Sequence, residues 1–419
     1  MKDLDYIQKT DIQPNKPLVG YGKYKVKNIP QKFVDNYSED QKKELIVSHP
    51  RKIIQSIFQG SKVIRWDSLL RYYYTFDCIS GVSTRSEVFD ENNNRTSKDI
   101  FAASFPHMID VGIMGHCTHG LSGKCSESGV QCYQSGWNIN RPNMSLSDFK
   151  RIVHECRNLS NQFALGGRGD PNEHENFEEI LRICRNSNII PNYTTSGFGL
   201  TDEQIEISKK YCGAVAVSWY RSPYTISAIE RLVKAGVKTN IHFVLNSDTI
   251  HEAIQLLKEN GFPTGINAVV FLTHKPVGQG EKCKCIHFED DSVKELFSMI
   301  RYPHFPFKIG IDGCFVVGLI NSGLDFDMRY LDTCGAARFT CYIDAEMNIH
   351  PCSFDMNDKF VMSLRDMTIA QAWHSDLFKQ IRSIQMKGCP DCEQSSVCHG
   401  GCFLYKDIVL CPHKEECLS

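Results

Sequence analysis

The chain has 419 residues, and 47 Lys and Arg stand against 49 Asp and Glu for a net charge of −2. The apolar share of 42% and the charged share of 23% are ordinary for a globular protein, so they exclude a disordered or collagen-like chain. The near-neutral charge gives no electrostatic footprint for nucleic acid or an anionic membrane. The length fits roughly two to three domains.

The cysteine content is the unusual feature, with 19 cysteines in the chain. The polar start, residues 1–17, lacks the basic and apolar stretches of a signal peptide. No apolar run reaches the length of roughly 18 residues that a membrane span needs. We therefore expect a cytoplasmic protein whose thiols stay reduced, so the cysteines indicate metal or cluster binding rather than disulfides.

Residues 1–105 form an extension of mixed character, with short amphipathic helices predicted over 29–48 and 49–60. A regular alternation follows. The predicted strands are 107–114, 163–167, 189–197, 214–220, 238–246, 266–274 and 304–312. The predicted helices are 145–160, 176–188, 201–211, 225–236, 247–261 and 292–302. This pattern is typical of a parallel sheet, either a partial or full (β/α) barrel or a doubly wound sheet, with functional groups after the strand ends.

The alternation stops near residue 331. Residues 341–352 have the pattern of a short hairpin, and the rest is punctuated by cysteines with few long apolar runs. Such a segment is expected to build little core, so that clusters or metal would supply its folding energy. The predicted units are therefore an extension (1–105), an α/β barrel (106–330) and a cysteine-rich domain (331–419).

The C-terminal cysteines give the strongest motif, Cys389-x2-Cys392-x5-Cys398-x3-Cys402. Further cysteines lie before it and after it: Cys334, Cys341, Cys352, Cys411 and Cys417. Short loops between thiolates converge soft ligands on one centre. The spacing alone favours iron–sulfur clusters and zinc equally.

A second group follows the first predicted strand, where Cys117, Cys125 and Cys132 are spaced x7 and x6 in one loop. Three thiolates leave a fourth position open. In a cluster, that position is an iron free to bind another ligand. The alternative is a zinc site completed by His116 or His119.

A glycine turn follows the second predicted strand, with Gly166, Gly167, Gly169 and Asp170. Glycines let the backbone approach a ligand closely, and the carboxylate of Asp170 could accept hydrogen bonds from an ammonium group. The alternative is an ordinary strand-to-helix turn.

Together these three groups resemble the radical S-adenosylmethionine (SAM) enzymes that carry a C-terminal SPASM domain, over about residues 107–417. The turn GRGDP is similar to the family's G-E-P turn, with Asp170 in place of Glu. Strand ends of the family that contact SAM correspond to Thr195, Ser218 and Asn246. The chain departs from the family in two places. Its first loop has x7 and x6 instead of x3 and x2, and Met347 replaces the glycine of the G-x4-Cys element.

The resemblance implies three [4Fe–4S] clusters and SAM as cofactors. Cys117, Cys125 and Cys132 would hold the cluster that binds SAM, whose reductive cleavage gives a 5′-deoxyadenosyl radical that takes a hydrogen atom from the substrate. The implied ligands of the first auxiliary cluster are Cys334, Cys341, Cys352 and Cys402. Those of the second are Cys389, Cys392, Cys398 and Cys411, with Cys417 as a substitute for Cys411.

Other cysteines are weighed singly. Cys314 ends a predicted barrel strand and could donate a hydrogen atom to a substrate radical or ligate substrate or cluster; the alternative is a buried apolar residue. Cys156, Cys184 and Cys212 are interpreted as core residues. Cys283 and Cys285 lie beside Lys282 and Lys284 and are expected at the surface. Residues 274–278 resemble the family segment near the adenine.

The resemblance implies an enzyme that modifies a ribosomally made precursor peptide by a crosslink, a thioether or a related change. Its partners would be that peptide and a flavodoxin or ferredoxin-type electron donor. The alternatives are a radical SAM oxidoreductase acting on a small metabolite, a sulfatase-type maturase, and a non-enzymatic iron–sulfur electron carrier. Residues 1–105 would recognise a leader peptide or cap the barrel.

Overall fold

The computed structural model describes residues 38–129, 131–302 and 304–414. Its helices are α1 Glu39–Ser48, α2 Pro50–Ile53, α3 Thr118–Leu121, α4 Lys124–Glu127, α5 Leu146–Cys156, α6 Phe177–Asn186, α7 Asp202–Tyr211, α8 Pro223–Lys234, α9 Ile250–Glu259, α10 Asp291–Arg301, α11 Val316–Asn321, α12 Ile369–Trp373, α13 Asp376–Lys387 and α14 Ser395–Cys398. Its strands are β1 Ile54–Gln59, β2 Lys62–Asp67, β3 Tyr72–Asp77, β4 Ser83–Arg85, β5 Met108–Met114, β6 Gln162–Gly167, β7 Ile190–Thr195, β8 Val215–Ser218, β9 Thr239–Leu245, β10 Ala268–Thr273, β11 Lys308–Ile311, β12 Thr340–Ile343, β13 Asn348–His350 and β14 Met362–Ser363.

The large sheet has the strand order β11-β10-β9-β8-β7-β6-β5-β12-β13-β14. Strands β5 to β11 are all parallel and lie in chain order, so each βα unit is placed beside the one before it. A doubly wound sheet would reverse its strand order at a switch point. The observed order therefore matches the predicted partial barrel and excludes the doubly wound alternative.

Every predicted βα element of residues 107–312 is present. The helices begin where the sequence places caps: the Ser145 hydroxyl accepts from the Asp148 N–H, and Thr201 forms a capping box with Gln204. Alternate strand residues such as Ile109, Val111 and Ile113 are fully buried against these helices. The core thus lies between the sheet and its outer helix layer.

The prediction of a helix over 49–60 was wrong. Only Pro50–Ile53 is helical, and Ile54–Gln59 is the first strand of an antiparallel sheet of order β1-β2-β3-β4. Gly60, with φ of 58°, makes the tight turn between β1 and β2. The helix predicted over 29–48 is present from Glu39 onward, and its earlier part lies outside the described residues.

This small sheet packs against the amino ends of the barrel strands. The ring of Tyr74 stacks on His107, just before β5, at 3.9 Å between centroids. The Lys238 ammonium, just before β9, donates to the carbonyl oxygen of Ile79. The position fits the cap alternative for residues 1–105, although the division into three units stays a prediction. No helix of the described residues is long and apolar enough to cross a membrane.

The C-terminal segment contributes to the core, contrary to expectation. Strand β12 pairs in parallel with β5 and so extends the barrel sheet, and β12 and β13 form the predicted hairpin. Trp373 and Phe378 are fully buried in the same hydrophobic cluster as the barrel residues. The Trp373 indole donates to the Ala103 carbonyl at 2.9 Å. Helices α12 and α13, which the sequence analysis did not predict, carry these side chains.

Candidate cluster and cofactor site

The structure brings Cys117, Cys125 and Cys132 together in the loop after β5. The Sγ of Cys117 accepts from the N–H of Gly120 at 3.1 Å, and Cys125 lies in the short helix α4. Burial raises the pKa of Cys117 to about 12, and the charges of Asp170 and Cys132 add to that shift. Burial likewise raises the pKa of Cys125, with contributions from Cys117 and Cys132. The three thiols are therefore neighbours, with Cys117 and Cys125 buried and Cys132 half-buried.

His119 contacts this pocket but is engaged on both ring nitrogens. Its Nδ1 lies 2.8 Å from the Sγ of Cys125, and its Nε2 lies 2.6 Å from the hydroxyl of Tyr224. Burial lowers its pKa to about 4, so the ring is neutral at pH 7. Within the described residues, no three His, Cys, Asp or Glu side chains are grouped to hold a single metal ion. The cysteines of a four-iron cluster bind different irons, so they need not converge on one point.

The glycine turn lies directly against the cluster loop. A Cβ on Gly169 would lie 2.2 Å from the carbonyl oxygen of His116. A Cβ on Gly167, whose φ is +110°, would lie 2.5 Å from the carbonyl oxygen of Met114. A Cβ on Gly136 would lie 3.0 Å from the Cβ of Cys117. Only glycines fit this close approach, whereas Gly166 faces open space.

Asp170 is held by three donors on one oxygen. Its Oδ2 accepts from the Thr195 hydroxyl at 2.9 Å, the Ser196 N–H at 2.8 Å and the Ser196 hydroxyl at 2.6 Å. Burial raises the pKa of this carboxyl, and the three hydrogen bonds oppose that shift. In the described part of the chain no hydrogen bond reaches Oδ1, so this oxygen is available to a ligand ammonium.

The three predicted strand-end residues differ in their surroundings. Thr195 is buried at the end of β7 and positions Asp170. Ser218 ends β8, where its carbonyl oxygen accepts from the N–H of Tyr220 at 2.9 Å. The side-chain oxygen of Asn246 accepts from the N–H groups of Asp248 and Thr249, both at 2.9 Å. Asn246 thus shapes the turn before α9.

Residues 274–278 pack on the cluster loop. A Cβ on Gly278 would lie 2.3 Å from the carbonyl oxygen of Tyr133, and the N–H of Gln279 donates to the carbonyl of Cys132 at 3.0 Å. Lys275, in the same segment, is almost fully buried and lies 2.9 Å from the Oδ2 of Asp312. The Asp312 carboxylate overcomes the effect of burial and raises the pKa of Lys275, so its ammonium stays charged.

The predicted first auxiliary tetrad is only partly assembled. Cys334, Cys352 and Cys402 share one neighbourhood, and the fourth thiol there is Cys314. Cys341 lies in β12, only 1% exposed, inside the main hydrophobic core. The ionisable groups that influence its pKa are Cys156, Asp110 and Arg382, and none of its predicted partners. The structure therefore does not bring Cys341 to the other three.

The second predicted tetrad surrounds helix α14. Cys389, Cys398 and Cys411 are all buried, and Cys398 and Cys411 share a small hydrophobic cluster with Val317. A Cβ on Gly400 would lie 3.7 Å from the Sγ of Cys389. The Ser395 hydroxyl accepts from the N–H of Cys389, and the Ser395 N–H donates to the carbonyl of Cys392. Cys417, the substitute ligand, lies outside the described residues.

The barrel interior contains a carboxyl group that the sequence analysis missed. Asp110 lies on β5 between Ile109 and Val111, and burial raises its pKa to about 7. A cavity of about 290 Å³ lies between the turn that joins β3 to β4 and the amino ends of the barrel strands, lined by residues that include Asn192, Asn240 and His242. A single acidic residue in an otherwise apolar strand was the available signal. Burial lowers the pKa of His242 to about 4.

The remaining cysteines mostly match expectation. Cys156 and Cys184 are fully buried in the core, and Cys212 packs against it. Cys283 is exposed, as predicted, but the expectation for Cys285 was wrong because this residue is 4% exposed. The 3-10 turn Lys282–Lys284 projects the flanking lysines outward while Cys285 turns in.

No model of a known protein family matches the chain. Mycofactocin maturase MftC of Mycolicibacterium smegmatis is 24% identical over 316 residues, which are 70% of this chain and 79% of MftC. MftC of Mycobacterium tuberculosis is 23% identical over 314 residues, again 70% of this chain and 79% of the relative.

Three solved structures share the fold. Streptococcus suis SuiB bound to S-adenosylmethionine has a TM-score of 0.54 at 18% identity and covers 73% of this chain and 76% of its own. SuiB bound to its precursor peptide SuiA has a TM-score of 0.60 at 15% identity over 85% of this chain and 98% of its own. The structure of anSMEcpe with bound AdoMet has a TM-score of 0.54 at 19% identity, and the match covers 73% of this chain and 89% of anSMEcpe. The partial barrel is thereby confirmed, and the chain is similar in sequence to the mycofactocin maturases.

Proposed function

We propose that this chain, a relative of the mycofactocin maturases with the fold of SuiB, is a radical SAM enzyme that modifies a ribosomally made peptide. The observation that carries the proposal is the contact between the three-cysteine loop and the glycine turn. Gly169 touches the backbone of His116 and Cys117, so a cluster held by the loop and a ligand held by Asp170 would be neighbours.

The residues fit the cofactors that the resemblance implies. Three neighbouring thiols in one loop, two of them buried, suit a [4Fe–4S] cluster with one open iron, and the free Oδ1 of Asp170 suits the ammonium of SAM. When bound, these cofactors supply a 5′-deoxyadenosyl radical that takes a hydrogen atom from the substrate. The protein holds Asp170 in place through Thr195 and Ser196 and keeps the pocket buried, which excludes water.

The auxiliary cysteines extend the proposal to three clusters. The two C-terminal groups contain enough thiols for two further [4Fe–4S] centres, and such centres would accept an electron when the peptide is oxidised. A flavodoxin or ferredoxin-type protein is the proposed donor for the first cluster. The peptide partner is proposed because SuiB is solved with its precursor peptide and MftC is a maturase. The proposed compartment is the cytoplasm.

Anaerobic reconstitution tests the cofactor part of the proposal. We expect the full chain to bind roughly 12 irons and to form 5′-deoxyadenosine from SAM after reduction. The variant Cys117→Ala should lose 5′-deoxyadenosine formation completely. The control Cys156→Ala, in a buried core thiol far from the loop in sequence, should keep it. Zinc in place of iron in the wild type would reject the proposal.

A further inference from the structure

We propose that Cys314, and not Cys341, completes the first auxiliary iron–sulfur centre together with Cys334, Cys352 and Cys402. The inference rests on the proposed function for the identity of the metal centre, because thiols alone do not identify the centre that they bind. The fourth ligand is then Cys314, which lies near the other three cysteines in the structure although the order of cysteines in the sequence favours Cys341.

Cys314 lies beside Cys402, and the residue before it lies beside Cys334. The thiol of Cys314 hydrogen-bonds the thiol of Cys402. Its neighbour Gly313 is in van der Waals range of the backbone of Cys334, since a Cβ added to Gly313 would lie 3.4 Å from the Cα of Cys334. The loop after β11 therefore brings Cys314 to the segment that carries Cys334.

Cys352 belongs to the same neighbourhood. The N–H of Tyr405 donates to the Sγ of Cys402 at 3.4 Å, and the hydroxyl of Tyr405 donates to the carbonyl oxygen of Phe354, two residues after Cys352, at 2.7 Å. These two bonds join the segment that carries Cys352 to Cys402. The Lys275 ammonium is near Cys314 and Cys402 and would offset part of the charge that four thiolates add. The amide nitrogen of Gln385 lies 3.8 Å from the Sγ of Cys334 and can donate to it.

The side chain of Cys341 is enclosed in the main hydrophobic core, apart from this group. It pairs with Ile109 of β5, and both side chains are buried on the helix-covered face of the sheet. Tyr342, the next residue, points to the other face, where its hydroxyl fills the space beside Gly112. Because side chains alternate along a strand, Cys341 could leave the core only if β12 slipped by one residue. Such a slip would also bring Tyr342 into the core.

Four cysteine ligands would leave no iron of this centre open. The inferred site is thus closed to substrate, and its role would be electron transfer. With Cys341 in the core, and without Cys314, the same centre would have three ligands and one open iron. The assignment of Cys314 therefore decides whether a substrate could bind here directly.

Iron and sulfide content of the anaerobically reconstituted full chain tests the inference. We expect Cys314→Ser and Cys334→Ser to alter the Mössbauer spectrum in the same way. Each variant should also lose the same amount of iron, at most about four of the roughly twelve irons. Cys341→Ser should match the wild type. Any other pattern, above all a Cys341→Ser variant that matches Cys334→Ser, overturns the assignment.

A measurement on the wild type covers the case in which Cys314→Ser does not fold. Cys314 should be alkylated at least 10-fold less in the reconstituted protein than in the chelator-stripped protein, whereas Cys341 should be protected in both because it is buried. Equal labelling of Cys314 overturns the assignment. Neither measurement needs SAM cleavage or peptide, so a failure of the proposed function would appear separately, as absent 5′-deoxyadenosine with the iron pattern intact.

Discussion

Asp170 accepts the hydroxyl hydrogen of Thr195 at 2.9 Å, and this bond joins the glycine turn after β6 to the end of β7. The bond and the two donors of Ser196 hold one carboxylate oxygen and leave the other for a ligand. The pair therefore turns two neighbouring strand ends into one candidate binding site for the ammonium of SAM.

The first prediction concerns this carboxylate. Asp170→Asn removes the charge that would pair with the ammonium, so SAM affinity should fall about 10-fold to 100-fold, since hydrogen bonds to charged groups contribute roughly 1.5–3 kcal/mol. Equilibrium dialysis of SAM with the reconstituted protein measures this affinity. The control Thr195→Ala removes only one of three donors and should cost less than Asp170→Asn. Unchanged affinity in Asp170→Asn would refute the role.

The second prediction concerns the charge beside the first auxiliary group. Lys275 is buried next to Cys314 and Cys402, and its ammonium would favour the more negative, reduced form of a cluster there. Lys275→Met should lower the reduction potential of that cluster by about 60 mV, a tenfold change for one electron. Spectroelectrochemistry measures the shift.

Two comparisons control the Lys275 experiment. Lys258→Met removes an exposed lysine that pairs with Glu295, and it should leave the potential unchanged. The double variant Lys275→Met/Asp312→Asn avoids leaving the Asp312 carboxylate unpaired, and it should recover part of the shift. A potential that is the same in Lys275→Met and wild type would show that no cluster lies beside this ammonium.

The third prediction is a pH dependence of stability. The pKa of Asp110 is raised from 3.8 to about 7 by burial, so between those values the folded chain holds a proton that the unfolded chain has lost. Stability from this group is therefore full below pH 4 and falls as the pH rises toward 7. Asp110→Asn should remove this loss, which we put at about 2 kcal/mol after allowance for solvent screening. Denaturant unfolding at pH 4 and 8 measures the loss; identical pH slopes in the two proteins would contradict the prediction.

The fourth prediction separates packing from cluster binding in the C-terminal segment. Trp373 is fully buried and hydrogen-bonded to Ala103, so Trp373→Ala should destabilise the chain by about 3–5 kcal/mol even without iron. Thermal unfolding of the chelator-stripped protein measures the change. The exposed control Met386→Ala, on α13, should cost far less. A loss that occurs only in the iron-loaded protein would show that clusters, and not packing, order this segment.

The sequence predicted the barrel well because its elements carry strong local signals. Ser145 and Thr201 cap their helices as expected, and the apolar run of β5 forms the strand before the cysteine loop. The apolar spacing of residues 49–60 predicted a helix, and this prediction was wrong. The turn at Gly60 pairs β1 with β2, so most of this segment forms a strand. Pairing within the sheet, and not the local helix propensity, therefore determines the structure of residues 54–59.

The candidate site was predictable where the candidate ligands share one loop. Cys117, Cys125 and Cys132 are close in the chain and remain close in the structure. The first auxiliary group joins distant segments, and sequence order placed Cys341 in it. Only the register of β12 on β5 shows that this side chain faces the core. Asp110 was missed for a similar reason, since its role depends on which face of β5 lines the barrel interior.

The most direct test of the proposed function joins SAM cleavage to peptide modification. The reduced, reconstituted full chain is incubated with SAM and the peptide encoded beside its gene, and the products are analysed by mass spectrometry. We predict 5′-deoxyadenosine together with a changed mass of the peptide, and neither product with Cys117→Ala. Reconstituted, iron-loaded wild-type protein that yields neither 5′-deoxyadenosine nor any change in peptide mass would contradict the account.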